Sequence, residues 1–220
     1  MTVVSIVPLL GVAAASILVP AFSVGFMAAA RAADRRAALE LGLLFDGFRH
    51  HLRNQIVLGV IYFACLCLVL AATALVDDGA LASWMLAGRR PDDEMMRSDA
   101  FIGALTCAAL LYAPVLMMFW FAPPLAAWHA TAPAKALFFS FFACLINRRA
   151  FLAYGAVTAL LALALPLAVL SAVMLASLRV AAVSLVFPLL IVLLPTLFAS
   201  FYASYRDVFA ADEPGPRNPL

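Results

Sequence analysis

His50 and His51 stand side by side in LLFDGFRHHLRN, residues 43–54, with Asp46 upstream and Arg49 and Arg53 flanking the pair. Imidazoles and a carboxylate so close together are the raw material of a metal site or of acid–base chemistry. A metal site needs at least three converging ligands, and adjacent residues on a helix diverge by roughly 100°, so only Asp46 and His50 would share a face. Nucleic acid fares no better as a partner, because Asp34, Glu40 and Asp46 dilute the arginines around the histidines and no DNA- or RNA-binding motif accompanies them. Cys65, Cys67, Cys107 and Cys144 all lie in apolar runs and read as small packing residues. His129, beside Trp128 and just past Pro123 and Pro124, is equally well explained as part of an interfacial aromatic pair. With no glycine-rich phosphate loop, His-Glu-x-x-His helix or nucleophile elbow, no cofactor, metal or catalytic set is implied.

The elements that must position these residues are membrane helices. Of the 220 residues 67% are hydrophobic and only 12% charged, with a mean hydropathy of +1.07, far more apolar than a soluble core could hide. The net charge of +2 advertises no polyanionic partner. Five uncharged stretches reach the ~20 residues that a crossing helix needs: Thr2–Ala30, Gln55–Val76, Ala100–Phe121, Ala150–Leu178 and Val180–Tyr205. The expected fold is therefore all-α, a polytopic helical membrane bundle of about five transmembrane helices in a single domain over residues 1–220. Prolines within the stretches (Pro8, Pro20, Pro114, Pro166, Pro188, Pro195) predict kinks, which neighbouring helices make tolerable in lipid. No basic segment precedes the first stretch, which reads as a retained span.

Lysine and arginine set the expected orientation. Arg31, Arg35, Arg36, Arg49 and Arg53 fall between spans one and two, Lys135, Arg148 and Arg149 between three and four, and Arg206 and Arg217 after five. The opposite loop, Asp77–Asp99, carries six acids against three arginines, so it faces out and the C-terminus faces the cytoplasm. An odd number of spans then places Met1 outside, an arrangement that a further helix upstream would relieve. Leu41, Leu44, Phe45, Phe48 and Leu52 form a stripe at helical spacing with Asp46, Arg49, His50 and Arg53 opposite, the pattern of a helix lying on the inner leaflet. The pattern returns in ALFFSFFACLINRR: Leu137, Phe138, Phe141, Leu145 and Asn147 repeat the types at 44, 45, 48, 52 and 54. This suggests two parallel repeat units, approximately residues 1–76 and 100–178, followed by a fifth span over 180–205 and a cytoplasmic tail over 206–220.

PAFSVGFMAAARA, LFDGFR, FWFAPPLAAWH, PAKALFFSFFACLINRRAFLAYG and PTLFASFYASYRDVF together resemble an uncharacterised family of proteobacterial multi-pass inner-membrane proteins. More distantly they are similar to the membrane domains of some glycerophosphodiester phosphodiesterases, although nothing here resembles the catalytic domain of those enzymes. The resemblance implies an inner-membrane helical bundle and carries no established activity to transfer. The spans carry no mid-membrane acid, histidine or lysine, which an ion-coupled transporter usually commits. The expected role is non-enzymatic, with membrane lipids, or a protein partner or second copy, bound at the cytoplasmic interface. A lipid-translocating or transport protein built on the repeat is the alternative. Candidate head-group contacts are Arg31, Arg49, Arg53, Lys135, Arg148, Arg149 and Arg206, and candidate interfacial anchors are Phe45, Phe48, Trp128, Phe138 and Phe141. Pro20 and Arg31, Pro124 and Lys135, and Pro195 and Arg206 are each eleven positions apart. On unbroken helices that is about 16 Å, enough to set three kinks at one depth beneath a cationic rim.

Overall fold

The computed structural model describes residues 2–175 and 179–209, and every regular element among them is helical. The tail beyond Phe209 with Arg217, residues 176–178 at the end of the expected fourth span, and the side chains of Pro8, Pro166, Pro188 and Ser184 lie outside the described residues. The apolar stretches become α1 (Thr2–Asp34), α3 (Leu52–Asp77), α6 (Asp99–Trp120), α9 (Arg148–Leu175) and α10 (Arg179–Phe209). Their outward faces are hydrocarbon: Leu75 is 89% exposed and Leu110 71%, which water would not tolerate along whole helices and lipid does. Among the described residues three segments are long and apolar enough to cross a membrane, Gly11–Asp34, Leu52–Asp77 and Asp99–Trp128. A fourth is added if Pro133–Ile146 and Arg148–Leu161, bent by 88°, make one span. The all-helical membrane architecture is the expected one, while five crossings and an internal repeat exceed what these segments carry.

The chain divides into two compact units, Met1–Gly25 with Leu41–Phe142, and Phe26–Glu40 with Ala143–Leu220. In the first unit α3 packs along α6, and two glycines let backbones meet. A β-carbon on Gly59 would strike the backbone of Ile17, and one on Gly47 the backbone of Ala21. Ile17 and Ala21 are one turn apart on α1, so the contact is a stripe of the small-residue kind that drives helix association in lipid. In the second unit Phe26 stacks on Phe198, 4.4 Å between centroids, and the Tyr154 and Ser200 hydroxyls meet at 2.7 Å, joining α9 to α10.

The acidic loop is folded by its own caps. The Asp77 carboxylate, 2% exposed, accepts from the backbone N–H groups of Gly79 (3.0 Å) and Leu81 (2.7 Å), starting α4 (Ala80–Ala87). Asp92 accepts from Met95 N–H at 2.8 Å to start α5 (Asp93–Met96), and Ser98 Oγ from Phe101 N–H at 3.2 Å to start α6. Leu81, Phe101 and Ala104 form a small core beneath.

The stretch around the two histidines differs from expectation. A continuous interfacial helix over 43–54 is predicted, but the chain makes a 3₁₀ turn (Leu41–Phe45), a four-residue α2 (Asp46–Arg49) and a break before α3. His51 takes φ 53°, a left-handed conformation that turns the chain into the span. Gly47 seats α2 against α1 at the same place, so position is set by packing on α1 and not by the amphipathic period. The matching segment, α8 (Pro133–Ile146), is an unbroken helix of 14 residues, so the two copies of the sequence pattern adopt different structures.

Candidate lipid interface and the broken helix behind it

The longest buried run among the described residues is FAPPLAA, residues 121–127, and a helix break lies at its start. Prolines at 123 and 124 lack the N–H groups that would continue the helix, so α6 ends at Trp120 and α7 (Ala122–Trp128) begins anew. The N–H of Phe121 would ordinarily reach the carbonyl of Met117. Instead it donates to Ser140 Oγ at 2.8 Å, and Ser140 in turn donates to the Met117 carbonyl at 2.7 Å. A hydroxyl from α8 is thus spliced into the helix ladder, an identifiable cause of a kink. From the other side Gln55 of α3, wholly buried, donates Nε2–H to the Pro123 carbonyl at 2.9 Å, while its Oε1 has no partner among the described residues. Gln55 and Ser140 were not among the residues expected to matter. The available signals were slight: an amide opening one apolar run and a lone hydroxyl amid four phenylalanines in FFSFF.

This core holds a cationic edge in place. Asn54 donates to the Thr131 carbonyl at 3.3 Å, which ties the start of α3, and Arg53 with it, to the loop that leads into α8 and Lys135. Arg49, Arg53 and Lys135 are exposed, and none makes an ion pair among the described residues. Lys135 Nζ sits 5.4 Å from the Phe139 ring centre. Exposed Phe138, Phe139 and Phe142 follow on α8, with Phe138 and Phe142 4.6 Å apart, and Phe45 is 52% exposed beside Phe48. Phe48 is a packing residue, edge-on to Phe22 of α1 at 5.0 Å. Phe141 and Trp128 are half-buried, and His50 Nε2 lies 3.2 Å from Asp46, as helical spacing predicts.

The remaining candidates belong to the second unit. Arg148 and Arg149 are exposed at the start of α9, and Arg31 is half-buried near the end of α1. Arg206 pairs with Asp34 at 2.8 Å, and that hydrogen bond holds its guanidinium even more firmly protonated. Arg206 therefore has a partner within the chain. The expectation of three kinks at matched depth also fails as stated. Pro20 and Arg31 share α1, and Pro195 and Arg206 share α10, but Pro124 and Lys135 lie on different helices. Residues 129–132 interrupt them, so a constant rise per residue does not apply.

The chain is 38% identical to a probable inner membrane protein of Burkholderia thailandensis over 221 residues, covering 98% of this chain and 82% of the relative. The chain belongs to that inner-membrane protein family. Membership agrees with the hydrocarbon surface of α3 and α6 and with the resemblance read from the sequence. No family model matches, and no solved structure matches. The more distant likeness to phosphodiesterase membrane domains gains no support from these comparisons.

Proposed function

We propose that this protein is a non-enzymatic inner-membrane protein that binds anionic lipid head groups at the edge carrying Arg49, Arg53 and Lys135. The observation that carries the reading is the exposure of these cations, without ion pairs among the described residues, beside the exposed rings of Phe45 and Phe138. Cations at phosphate depth and phenylalanines in the acyl boundary are the two halves of an interfacial lipid site. In this reading the edge and the C-terminus face the cytoplasm, and α10 is a fifth crossing. Each basic residue near an anionic leaflet contributes about 1 kcal/mol of surface attraction. Purified protein, passed through mixed phosphatidylglycerol and phosphatidylcholine micelles and analysed by native mass spectrometry, is expected to retain phosphatidylglycerol preferentially. Joint replacement of Arg49, Arg53 and Lys135 by glutamine should abolish the preference, and an unchanged preference refutes the assignment.

The broken helix favours a second reading, movement of lipid or solute, because discontinuous spans with buried polar supports build transport sites. That reading requires that Ser140→Ala slow the exchange of a labelled lipid between leaflets of proteoliposomes without weakening head-group retention.

A further inference from the structure

A cavity of about 580 Å³ opens in the first unit between α3, α6 and α4, in the size range of small-molecule sites. Its wall is mostly hydrocarbon, including Leu66, Leu70, Met85 and Leu86, and apart from the Cys67 thiol its polar groups are the hydroxyls of one tyrosine pair, Tyr62 and Tyr112. The two hydroxyls meet at 2.8 Å and make no other hydrogen bond among the described residues. Two hydroxyls bring two protons, and one contact uses one of them. The accepting tyrosine therefore keeps an O–H with nothing among the described residues to donate to, at a depth where an unmet donor costs free energy. Tyr62 lies about 15 Å along α3 from Leu52 and about 22 Å from Asp77, at ~1.5 Å per residue, so the pair is deep in the hydrocarbon. Aromatic rings border it: Phe119 is edge-on to Tyr62 at 5.0 Å, and Phe63 lines the cavity.

We infer that this cavity binds an uncharged lipid with a carbonyl-bearing ring, the chemistry of a membrane quinone, whose carbonyl accepts the spare tyrosine proton and whose chain lies along Leu66, Leu70 and Met85. The alternatives fit less well. Ester carbonyls of a phospholipid sit at the edge of the ~30 Å hydrocarbon layer and do not reach this depth, and a fatty-acid carboxylate there would be a buried unpaired charge. An acyl chain alone would fill the cavity but leave the hydroxyl unmet. The inference does not depend on the head-group site, which lies on other residues.

The pair has a diagnostic property. Either tyrosine alone still carries a proton to donate, so Tyr62→Phe and Tyr112→Phe should each weaken binding only slightly, whereas the double variant should weaken it about tenfold, the worth of ~1.4 kcal/mol. The probe is a benzoquinone with a decyl chain, titrated into detergent-solubilised full-length protein and followed by isothermal titration calorimetry. Organic extracts of protein purified from native membranes are assayed for endogenous quinone in parallel. The expected result is saturable binding that the double variant weakens about tenfold and that Leu66→Trp, which fills the cavity, abolishes, while phosphatidylglycerol retention stays unchanged. Should the double variant melt early, Leu66→Trp carries the test. Undiminished binding in the folded double variant, or in Leu66→Trp, overturns the assignment, as does a cavity occupied by phospholipid with no quinone bound.

Discussion

At the Phe121 break, two buried polar side chains do different work, and their replacements should separate. Ser140→Ala removes a donor and an acceptor at once, leaving the Phe121 N–H and the Met117 carbonyl without the group that links them. The expected loss is about 1–3 kcal/mol, the cost of unmet buried polar groups, seen as a lower thermal midpoint in detergent. Gln55→Leu gives up one hydrogen bond, to Pro123, but also an acceptor that has no partner among the described residues. These offset, so its stability should stay within about 1 kcal/mol of the parent. Equal damage from the two would show that Gln55 Oε1 is satisfied after all. Neither residue is conspicuous in the sequence, because a single serine or glutamine near an apolar run is most often a local helix contact. Only the approach of α3 and α8 to the Pro-Pro turn gives them a role.

Among the helices, the glycines act through contact. In the structure Gly59 and Gly47 are the points where α3 and α2 touch α1. Gly59→Leu should cost about 1–3 kcal/mol or more, since the group it meets is the Ile17 backbone, which cannot rotate aside. Gly155 of α9 is the control: nothing lies within 4 Å of a β-carbon built there, so Gly155→Ala should leave stability unchanged or raise it by up to about 1 kcal/mol through helix propensity. Chemical unfolding of both variants in the same detergent checks the contrast, and a tolerated Gly59→Leu would show that α1 and α3 do not pack this way. The continuous amphipathic helix predicted over 43–54 yields to the same contact, since periodicity reports which side of a segment is apolar and not what competes for that side.

At the scale of the whole molecule, orientation in the bilayer fixes which leaflet the cationic edge meets. In the proposed orientation, which the charge bias supports, Asp77–Asp99 faces out and the Arg49 edge faces in. Single cysteines at exposed Ser83 and Glu40, in a variant lacking the four native cysteines, read this directly. An impermeant thiol reagent added to intact spheroplasts is expected to label the cysteine at Ser83 at once and that at Glu40 only after permeabilisation. The opposite pattern would reverse the orientation and put the head-group site on the outer leaflet. Gly47 is unsuitable for such a probe, because any side chain there meets Ala21.

Composition alone determined that this is a helical membrane protein, since long uncharged runs have no other stable home, and the places of α1, α3, α6, α9 and α10 follow from the same runs within a few residues. Clusters of arginine and phenylalanine pointed to the proposed interface, because charge and apolar area act through local density that a sequence displays. Tertiary structure decided what depends on long-range approach: the splice of Ser140 into the α6–α7 break, the engagement of Arg206 by Asp34, and the tyrosine pair in the cavity wall. Ser140 lies 19 positions from its partner Phe121, Tyr62 lies 50 from Tyr112, and Asp34 lies 172 from Arg206. Separations of that size leave no periodic trace in a sequence, so only packing could bring these groups together.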